Sequence, residues 1–283
     1  MLEHQPSIEG MSASDSTPGA SLTKSEAATL EAINGGSSSL IFLRQDGAYV
    51  EKIPHSASKI HEIMVQDIEC EYSAYARLPK HSRLLQLHPD SSPQRLVLPY
   101  LPQGCLHDYL RTQQVSCSLR IQFAADAVEG LDVLHQANII HGDINSFNFL
   151  IDAGFRLLII DFAGSSIDGV SGSGWEGVHY CLPRSSDSTV RSDIFALGCL
   201  LYEIETGDTP CNSYSNDEVE QMFSAARFPD VSGLPLGTVI TGCWHGTLQS
   251  AVDGFQSIQL VPEIFGEEAV GQQDLRWHVE GLL

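Results

Sequence analysis

Positive charge is scarce in this sequence, which has 15 Lys and Arg residues against 36 Asp and Glu residues and a formal net charge of -21. Nucleic acids are bound mainly through clustered cations, so this balance argues against DNA or RNA as a partner. The first 24 residues contain no apolar block of signal-peptide or membrane-helix length, and the seven cysteines form no C-x-x-C pair. We therefore expect a soluble intracellular, cytoplasmic protein with reduced thiols, no membrane partner and no zinc site.

The sequence does contain a change of pattern along its length. Residues 1–26 are rich in Ser, Pro and Gly, which is typical of a disordered tail. Within residues 27–101, short apolar runs broken by "NGGSSS" and "QDG" predict two or three antiparallel strands, then a helix and a strand at "RLVLPYLP". Residues 102–262 are mostly helical in pattern, with "SLRIQFAADAVEGLDVLHQA" as the clearest amphipathic helix. We expect residues 263–283 to form a C-terminal extension.

Two aspartates, Asp143 and Asp161, stand at the ends of apolar segments in "IIHGDINSFNFLIDAGFRLLIIDFAG", and Asn148 follows the first by five residues. The motifs "HGDINSFN" and "IIDFAG" are similar to H-R-D-x-x-x-x-N and D-F-G of eukaryotic protein kinases. This resemblance implies an α+β, bilobal fold with a small β-rich N-lobe and a larger α-helical C-lobe. It also implies that ATP and Mg²⁺ bind, that Asp143 orients a substrate hydroxyl, and that Asn148 and Asp161 are the metal ligands.

The same resemblance extends to the residues that would hold the phosphates. Lys52 in "YVEKI" is similar to the phosphate-binding lysine of V-A-I-K, so it joins Asp143 and Asn148 as a catalytic residue. Glu71 is the favoured ion-pair partner of Lys52, with Glu69 as the alternative, because Tyr75 and Leu78 can face the core while Glu71 points at Lys52.

The adenine side of the nucleotide site resembles the family in two further stretches. "INGGSSSLI" resembles a Gly-rich loop, whose counterparts here are Asn34, Gly36, Ser39 and Ile41. "RLVLPYLPQGCL" resembles the hinge that binds adenine, where Pro99 offers only its carbonyl and Leu101 offers both backbone groups. Further on, "RSDIFALG" resembles a buried helix whose Asp193 accepts backbone N–H groups of the catalytic loop.

Several positions depart from the family pattern. Gly142 replaces the arginine that pairs with a phosphorylated activation segment, so we expect no activation by that route. Asn145 stands where serine/threonine kinases carry a lysine, Phe147 where tyrosine kinases carry an arginine, and Gly177 where a threonine would bond that lysine. "LPR" replaces Ala-Pro-Glu, and "CWHGTLQSA" lacks the arginine that pairs with this glutamate, so both halves of a buried ion pair are absent.

The favoured interpretation is a protein kinase that phosphorylates Ser or Thr of a protein substrate. A pseudokinase or weakly active nucleotide-binding scaffold is the main alternative, because the lysine at Asn145 is missing. Small-molecule phosphotransferases also use H-G-D with an asparagine five residues later, but "GWEGVHYCLP" and "RSDIFALG" argue against them. In details such as "DFAGSSIDG" and "FPDVSGLPLG", the sequence resembles kinase-like proteins of filamentous fungi most closely.

Overall fold

The computed structural model describes residues 31–35, 39–55, 61–170, 172–174, 176–183, 185 and 187–259. The tail predicted at residues 1–26, the extension predicted at residues 263–283 and Gly36 lie outside these ranges.

The N-terminal part is one antiparallel sheet with a helix packed on it. Its strands follow in the order β1 (Glu31–Gly35), β2 (Ser39–Leu43), β3 (Tyr49–Pro54) and β4 (Leu96–Pro99). Gly47 lies in the predicted turn between β2 and β3 with φ of +66°, a backbone conformation that favours glycine. Helix α1 (His61–Arg77) packs against β3 and buries one face at approximately helical spacing, namely Met64, Ile68, Glu71, Ala74 and Tyr75.

The larger part of the described chain is helical. Its helices are α2 (Leu106–Thr112), α3 (Cys117–Gln136), α4 (Val190–Thr206), α5 (Asn216–Ser224), α6 (Gly237–His245) and α7 (Ala251–Gln259). Helix α4 is buried almost all round, because it packs against both α3 and α6. It begins with a capping box between Thr189 and Ser192 and ends at Gly207, whose φ is +85°.

Two short antiparallel strand pairs on the helical part frame the loops of interest. Strand β5 (Ile139–Ile140) pairs with β8 (Ser166–Ile167), and β6 (Phe149–Ile151) pairs with β7 (Leu157–Ile159). The loop between β5 and β6 contains a single 3-10 turn, and the loop between β7 and β8 begins directly beside it in space. The predicted α+β architecture is confirmed, since a strand-rich part precedes a larger helical part. The predicted boundary near Leu101 falls in the connection between β4 and α2.

Within the described ranges, none of the helices combines the length and apolar character needed to cross a bilayer.

Candidate active site

A cavity of about 480 Å³ opens between the sheet and the helical part. Its walls are largely apolar, with Ile41 and Val50 from the sheet and Leu150 from the helical part. At one end stand the polar groups of Lys52 and Asp161. A cavity of this size, with apolar walls and a few convergent polar groups, is typical of a small-molecule or nucleotide site.

Lys52 is the centre of a buried ionic group at that end. It lies on β3 with 6% of its surface exposed, and its Nζ donates to Glu71 Oε2 at 2.6 Å and to Asp161 Oδ1 at 2.7 Å. Burial opposes the ammonium charge, but the carboxylates of Asp161 and Glu71 raise the pKa of Lys52 above its ordinary value. Lys52 is therefore a fixed positive charge that joins the sheet, α1 and the segment after β7.

The geometry resolves the alternative partners of Lys52 in favour of Glu71. Glu71 is 1% exposed, and burial raises the pKa of its carboxyl to about 7 although Lys52 opposes that shift. Glu69 lies two positions earlier on α1, and its backbone carbonyl accepts the hydroxyl of Ser73. The face of α1 that carries Glu71 also carries Tyr75, whose ring packs edge-on against Phe162 at 4.8 Å between centroids.

Asp193 fixes the position of the loop after β5. This carboxylate, on the first turn of α4 and fully buried, accepts the backbone N–H of His141 and of Gly142, both at 2.9 Å, and contacts His135 Nε2 at 2.9 Å. The predicted structural role of Asp193 is thus confirmed. Because a largely buried helix supplies this anchor, the loop has a fixed position relative to the core.

Asp143 is oriented within this loop by two asparagines. Asn145 Nδ2 donates to Asp143 Oδ1 at 2.8 Å, and Asn148 Nδ2 donates to Asp143 Oδ2 at 2.9 Å. Burial raises the pKa of Asp143, while His141 and the two amides oppose that shift. Since the nitrogen of Asn148 is bound to Asp143, its amide oxygen remains the acceptor that can face a cation.

Asp161 follows β7 by two residues and adopts φ of +67°, a left-handed conformation that is uncommon for a residue other than glycine. The conformation is maintained by its surroundings, because the next residue, Phe162, is fully buried against Tyr75 and His141. Burial opposes ionisation of Asp161, but Lys52 lowers the pKa of its carboxyl below the ordinary value. Asp161 therefore stays ionised beside the cavity.

Comparison with known proteins decides the family. Residues 51–253 match the family model described as protein tyrosine and serine/threonine kinase. The chain belongs to the protein kinase family. That match covers most of β3, together with α1, both loops and Asp193, which are the elements that build the site.

Individual kinases are similar to this chain at low identity. A probable serine/threonine-protein kinase of Dictyostelium discoideum is 25% identical over 66% of this chain and 22% of its own length. Tyrosine-protein kinase TXK of Mus musculus is 27% identical over 85% of this chain and 48% of its own length. Salt tolerance receptor-like cytoplasmic kinase 1 of Oryza sativa is 28% identical over 66% of this chain and 58% of its own length. The chain thus spans about a fifth to three fifths of these relatives, and their origins lend no support to a closer resemblance to fungal proteins.

Most of the residues predicted for the kinase site converge on the cavity. Its lining includes Ile41, Lys52, Glu71, Pro99, Leu101, Asn148 and Asp161. Asp143 stands just beyond the lining, bonded to Asn148. Ser39 is not among the lining residues; it begins β2 opposite Pro54 and is 2% exposed. The backbone of Asn34 lies in β1 opposite Ile41, and Gly36 lies outside the described residues.

Some lining residues escaped the sequence analysis. Cys105, Asp108 and Phe147 also line the kinase cavity, and the Phe147 ring stacks on His107 at 3.9 Å between centroids. Phe147 is 56% exposed, which is unusual for a large apolar side chain in a loop that is otherwise mostly buried. The sequence places Phe147 where tyrosine kinases carry an arginine, but no local pattern marks it as a lining residue.

Proposed function

We propose that this chain is an ATP- and Mg²⁺-dependent protein kinase that transfers the γ-phosphate to Ser or Thr of a protein substrate inside the cell, in the cytoplasm. The observation that carries the proposal is the double ion pair of Lys52 with Glu71 and Asp161. Lys52 can contact both carboxylates only when the sheet, α1 and the turn after β7 lie close together. Phosphoryl transfer needs that arrangement.

Binding of the nucleotide is supported by the cavity and its ends. Pro99 and Leu101 lie along the lining where the hinge of kinases binds adenine, and the Leu101 carbonyl already accepts from Gly104 at 3.2 Å. The Leu101 N–H is therefore the group that we assign to adenine there, with the Pro99 carbonyl as its neighbour. Lys52 at the far end would hold the phosphates.

The donor set fits magnesium. Asn148 and Asp161 offer an amide oxygen and an ionised carboxylate beside the cavity, which are hard oxygen ligands. No cluster of three or more His, Cys, Asp or Glu side chains could hold a metal ion within the described part of the chain. Two protein ligands suit Mg²⁺, which is usually bound by one or two protein groups together with phosphates and water. Bound Mg²⁺ would neutralise charge on the phosphates.

Asp143 would orient and accept the proton of the substrate hydroxyl. The two amides hold both of its oxygens in place, so the carboxylate is positioned before a substrate arrives. Serine or threonine is the proposed acceptor because Phe147 occupies the position of the arginine of tyrosine kinases, and because one relative is described as a serine/threonine-protein kinase. Gly142 supports a kinase that does not need phosphorylation of its activation segment.

A nucleotide-binding scaffold with weak or no transfer activity is the second candidate, and one observation favours it. Asn145 takes the place of a lysine, and its amide nitrogen binds Asp143 instead of extending as a free cation. An amide cannot neutralise charge that develops on the phosphoryl group, so a loss of roughly 10²- to 10³-fold in rate is expected relative to a kinase with the lysine. A slow kinase and a scaffold differ only in whether transfer exceeds background.

The test compares wild type with Asp143→Asn and Asp161→Asn, with the exposed Asp208→Asn as the control for a simple loss of charge. Nucleotide binding with and without Mg²⁺ is measured by thermal shift, and transfer is measured on mixed protein substrates with phosphoamino-acid analysis. We expect Asp161→Asn to abolish Mg²⁺-dependent binding, and Asp143→Asn to retain binding but lose roughly 10²- to 10⁴-fold in rate. Binding without transfer above the Asp143→Asn rate would favour the scaffold, and phosphate found only on a metabolite would favour a small-molecule kinase.

A further inference from the structure

The segment after Asp161 is joined to helix α1 by a serine hydroxyl, in addition to the thiol of Cys70 and the ion pair of Arg77 with Asp168. Ser173 Oγ donates to Asp67 Oδ1 at 2.6 Å, although the two residues are 106 positions apart. Asp67 stands one helical turn before Glu71, the partner of Lys52. Ser173 itself is exposed, so a modifying enzyme could reach its hydroxyl.

The backbone on either side of Ser173 lies close to Gly164, near the start of the segment. Gly174 N donates to Gly164 O at 2.9 Å, and a Cβ added at Gly172 would lie only 2.0 Å from the same carbonyl oxygen. Cys70 of α1 reaches the Ser165 carbonyl with its thiol at 3.3 Å. The backbone on both sides of Ser173 is thus packed against the start of the segment, and the segment also contacts α1.

The charges around Ser173 are unfavourable to a phosphate. Residues 161–183 contain no Lys or Arg, and neither does the catalytic loop 141–148. Helix α1 carries several acidic residues and one cation, Arg77, which is already bonded to Asp168 and to the Ala137 carbonyl. Among the residues that the structure describes, no ion pair joins Asp67 to a cation. A phosphate at Ser173 would therefore face the Asp67 carboxylate.

We propose that Ser173 is a phosphorylation site at which the phosphate separates the segment from α1 and lowers the kinase activity. ATP is the donor: a bond forms between Ser173 Oγ and the γ-phosphorus, the bond from that phosphorus to ADP breaks, and the base of the modifying kinase takes the hydroxyl proton. The product carries a charge near -2 against the Asp67 carboxylate, which replaces a hydrogen bond by like-charge repulsion. In a kinase whose catalytic loop supplies an arginine, a phosphate on this segment favours activity. Here we expect a phosphate to lower activity.

The consequence for activity runs through α1 and rests on the function proposed above. Asp67 and Glu71 lie four residues apart on one helix, so a force on Asp67 acts on the element that carries Glu71. Displacement of α1 would lengthen the contact of Glu71 with Lys52, and phosphate binding would weaken. We expect transfer to fall by roughly tenfold or more, since one lost contact to a charged group is commonly worth that much.

The experiment encodes phosphoserine at position 173 of the full chain, with phosphoserine at the exposed position 213 as the matched control. Hydrogen exchange of α1 and of residues 162–174 is followed together with ATP affinity and transfer rate. We expect faster exchange and roughly tenfold slower transfer for the modification at 173, and neither change for the modification at 213. Ser173→Ala should have a smaller effect than the phosphate, because it removes the hydrogen bond without adding charge.

Combining the phosphate with Asp67→Arg tests the charge directly. An arginine at 67 would pair with the phosphate, so protection of α1 should return and the combined protein should transfer faster than the phosphorylated wild type. Unchanged exchange on phosphorylation at 173, or a loss that Asp67→Arg does not reverse, would overturn the inference. Hydrogen exchange needs no turnover, so it tests the inference even in a chain that transfers no phosphate. A failure of the proposed kinase function is therefore distinguishable from a failure of the proposed effect at Ser173.

Discussion

At the residue scale, Asn145 has two tasks in one loop. Its amide nitrogen donates to Asp143 Oδ1, and its amide oxygen accepts the backbone N–H of Phe147 at 2.9 Å, which caps the 3-10 turn. The first task orients the proposed proton acceptor and the second shapes the loop. A substitution that preserves one task and removes the other can separate catalysis from folding.

Asn145→Asp is that substitution. Aspartate caps as well as asparagine, so we expect the 3-10 turn to keep its cap. Its carboxylate would face Asp143 where an N–H donor stood, and it should raise the pKa of Asp143 further. The expected result is a transfer rate lowered by roughly 10²-fold at neutral pH and a pH profile shifted to higher pH. The rate is measured from pH 6 to 9. A lower rate with an unshifted profile would contradict this role for Asn145.

The backbone conformation at position 142 explains why glycine, and not another residue, stands in place of the arginine. The φ of Gly142 is +75°, and an added Cβ would lie 2.8 Å from Ser188 Oγ. Gly142→Ala should therefore reduce the free energy of unfolding by about 1–2 kcal/mol for the left-handed backbone, with a further loss from crowding. Gly207→Ala is the matched control, because its φ is +85° with nothing within 4 Å of the added Cβ.

Urea unfolding of the two variants isolates the contact with Ser188. We expect Gly142→Ala to be the more destabilised of the pair, and Gly142→Ala combined with Ser188→Gly to approach Gly207→Ala. Equal losses in Gly142→Ala and Gly207→Ala would show that backbone strain alone accounts for the glycine.

At the element scale, helix α3 is joined to the β6–β7 hairpin by a buried charge network. Asp126 is 1% exposed and pairs with Arg83 at 2.8 Å and with Arg156, and it also accepts the Leu157 N–H at 3.0 Å. Arg83 in turn donates to the Leu157 carbonyl at 3.0 Å. The network fixes the hairpin whose two strands carry the loops with Asn148 and Asp161.

Asp126→Ala should destabilise the protein strongly. Removing the carboxylate leaves Arg83, which is 4% exposed, without its main compensating charge, a situation that commonly costs about 3–5 kcal/mol. The measurement is the free energy of unfolding in urea. Replacing both charges by apolar groups, as in Asp126→Leu with Arg83→Met, should recover part of the loss, because no buried charge then remains unpaired. A double variant less stable than Asp126→Ala would contradict this account.

The elements that a sequence reveals are those with short-range patterns. The strands around "QDG", helix α3 and the paired motifs around Asp143 and Asp161 follow from periodicity, turn residues and fixed spacing, and the structure has them where predicted. Contacts that depend on which side chains meet across the fold were not predictable. The sequence lacks both halves of the ion pair that the family forms with the glutamate of Ala-Pro-Glu, for example. It does not reveal that Arg191 on α4 donates to the carbonyls of Cys243 and Trp244 at the end of α6. No local pattern links position 191 to position 243.

The same limit applies to the site. Motifs that resemble those of protein kinases point to Lys52, Glu71, Asp143, Asn148 and Asp161, because the chemistry of kinases fixes the order of such groups along the chain. The glycine-rich stretch has few such constraints, and Ser39 lies buried in a strand outside the cavity lining. The bond between Ser173 and Asp67 joins two elements through an ordinary serine in a Gly-Ser-rich run, which a sequence alone cannot distinguish from its neighbours.

At the scale of the whole molecule, two effects make stability depend on pH in the same direction. The net charge of -21 favours self-repulsion near neutral pH, and this repulsion declines as pH falls toward the isoelectric point near 4.7. In addition, burial raises the pKa of Glu176 and of Glu205 to about 7. Each has a carboxyl oxygen buried without a hydrogen-bond partner among the residues described. The two effects differ in their response to salt, because ions screen surface repulsion much more than buried groups.

We therefore predict that the free energy of unfolding falls as pH rises from about 4.5 to about 7, even at high salt. In this window the unfolded chain has released the protons of Glu176 and Glu205, whose ordinary pKa is about 4.3, while the folded chain still binds them. The folded state thus holds more protons, so raising the pH favours unfolding until the two carboxyls ionise in both states.

Each of the two carboxyls should contribute on the order of 1 kcal/mol after allowance for partial exposure. Urea unfolding between pH 4.5 and 8 in 0.5 M salt, where the Debye length is about 4 Å, measures the slope. Glu176→Gln with Glu205→Gln should reduce the slope and leave the part that Glu71 contributes, whereas Glu62→Gln, which removes an exposed carboxylate, should not change it. A slope that persists unchanged in the double variant would assign the pH dependence to other groups.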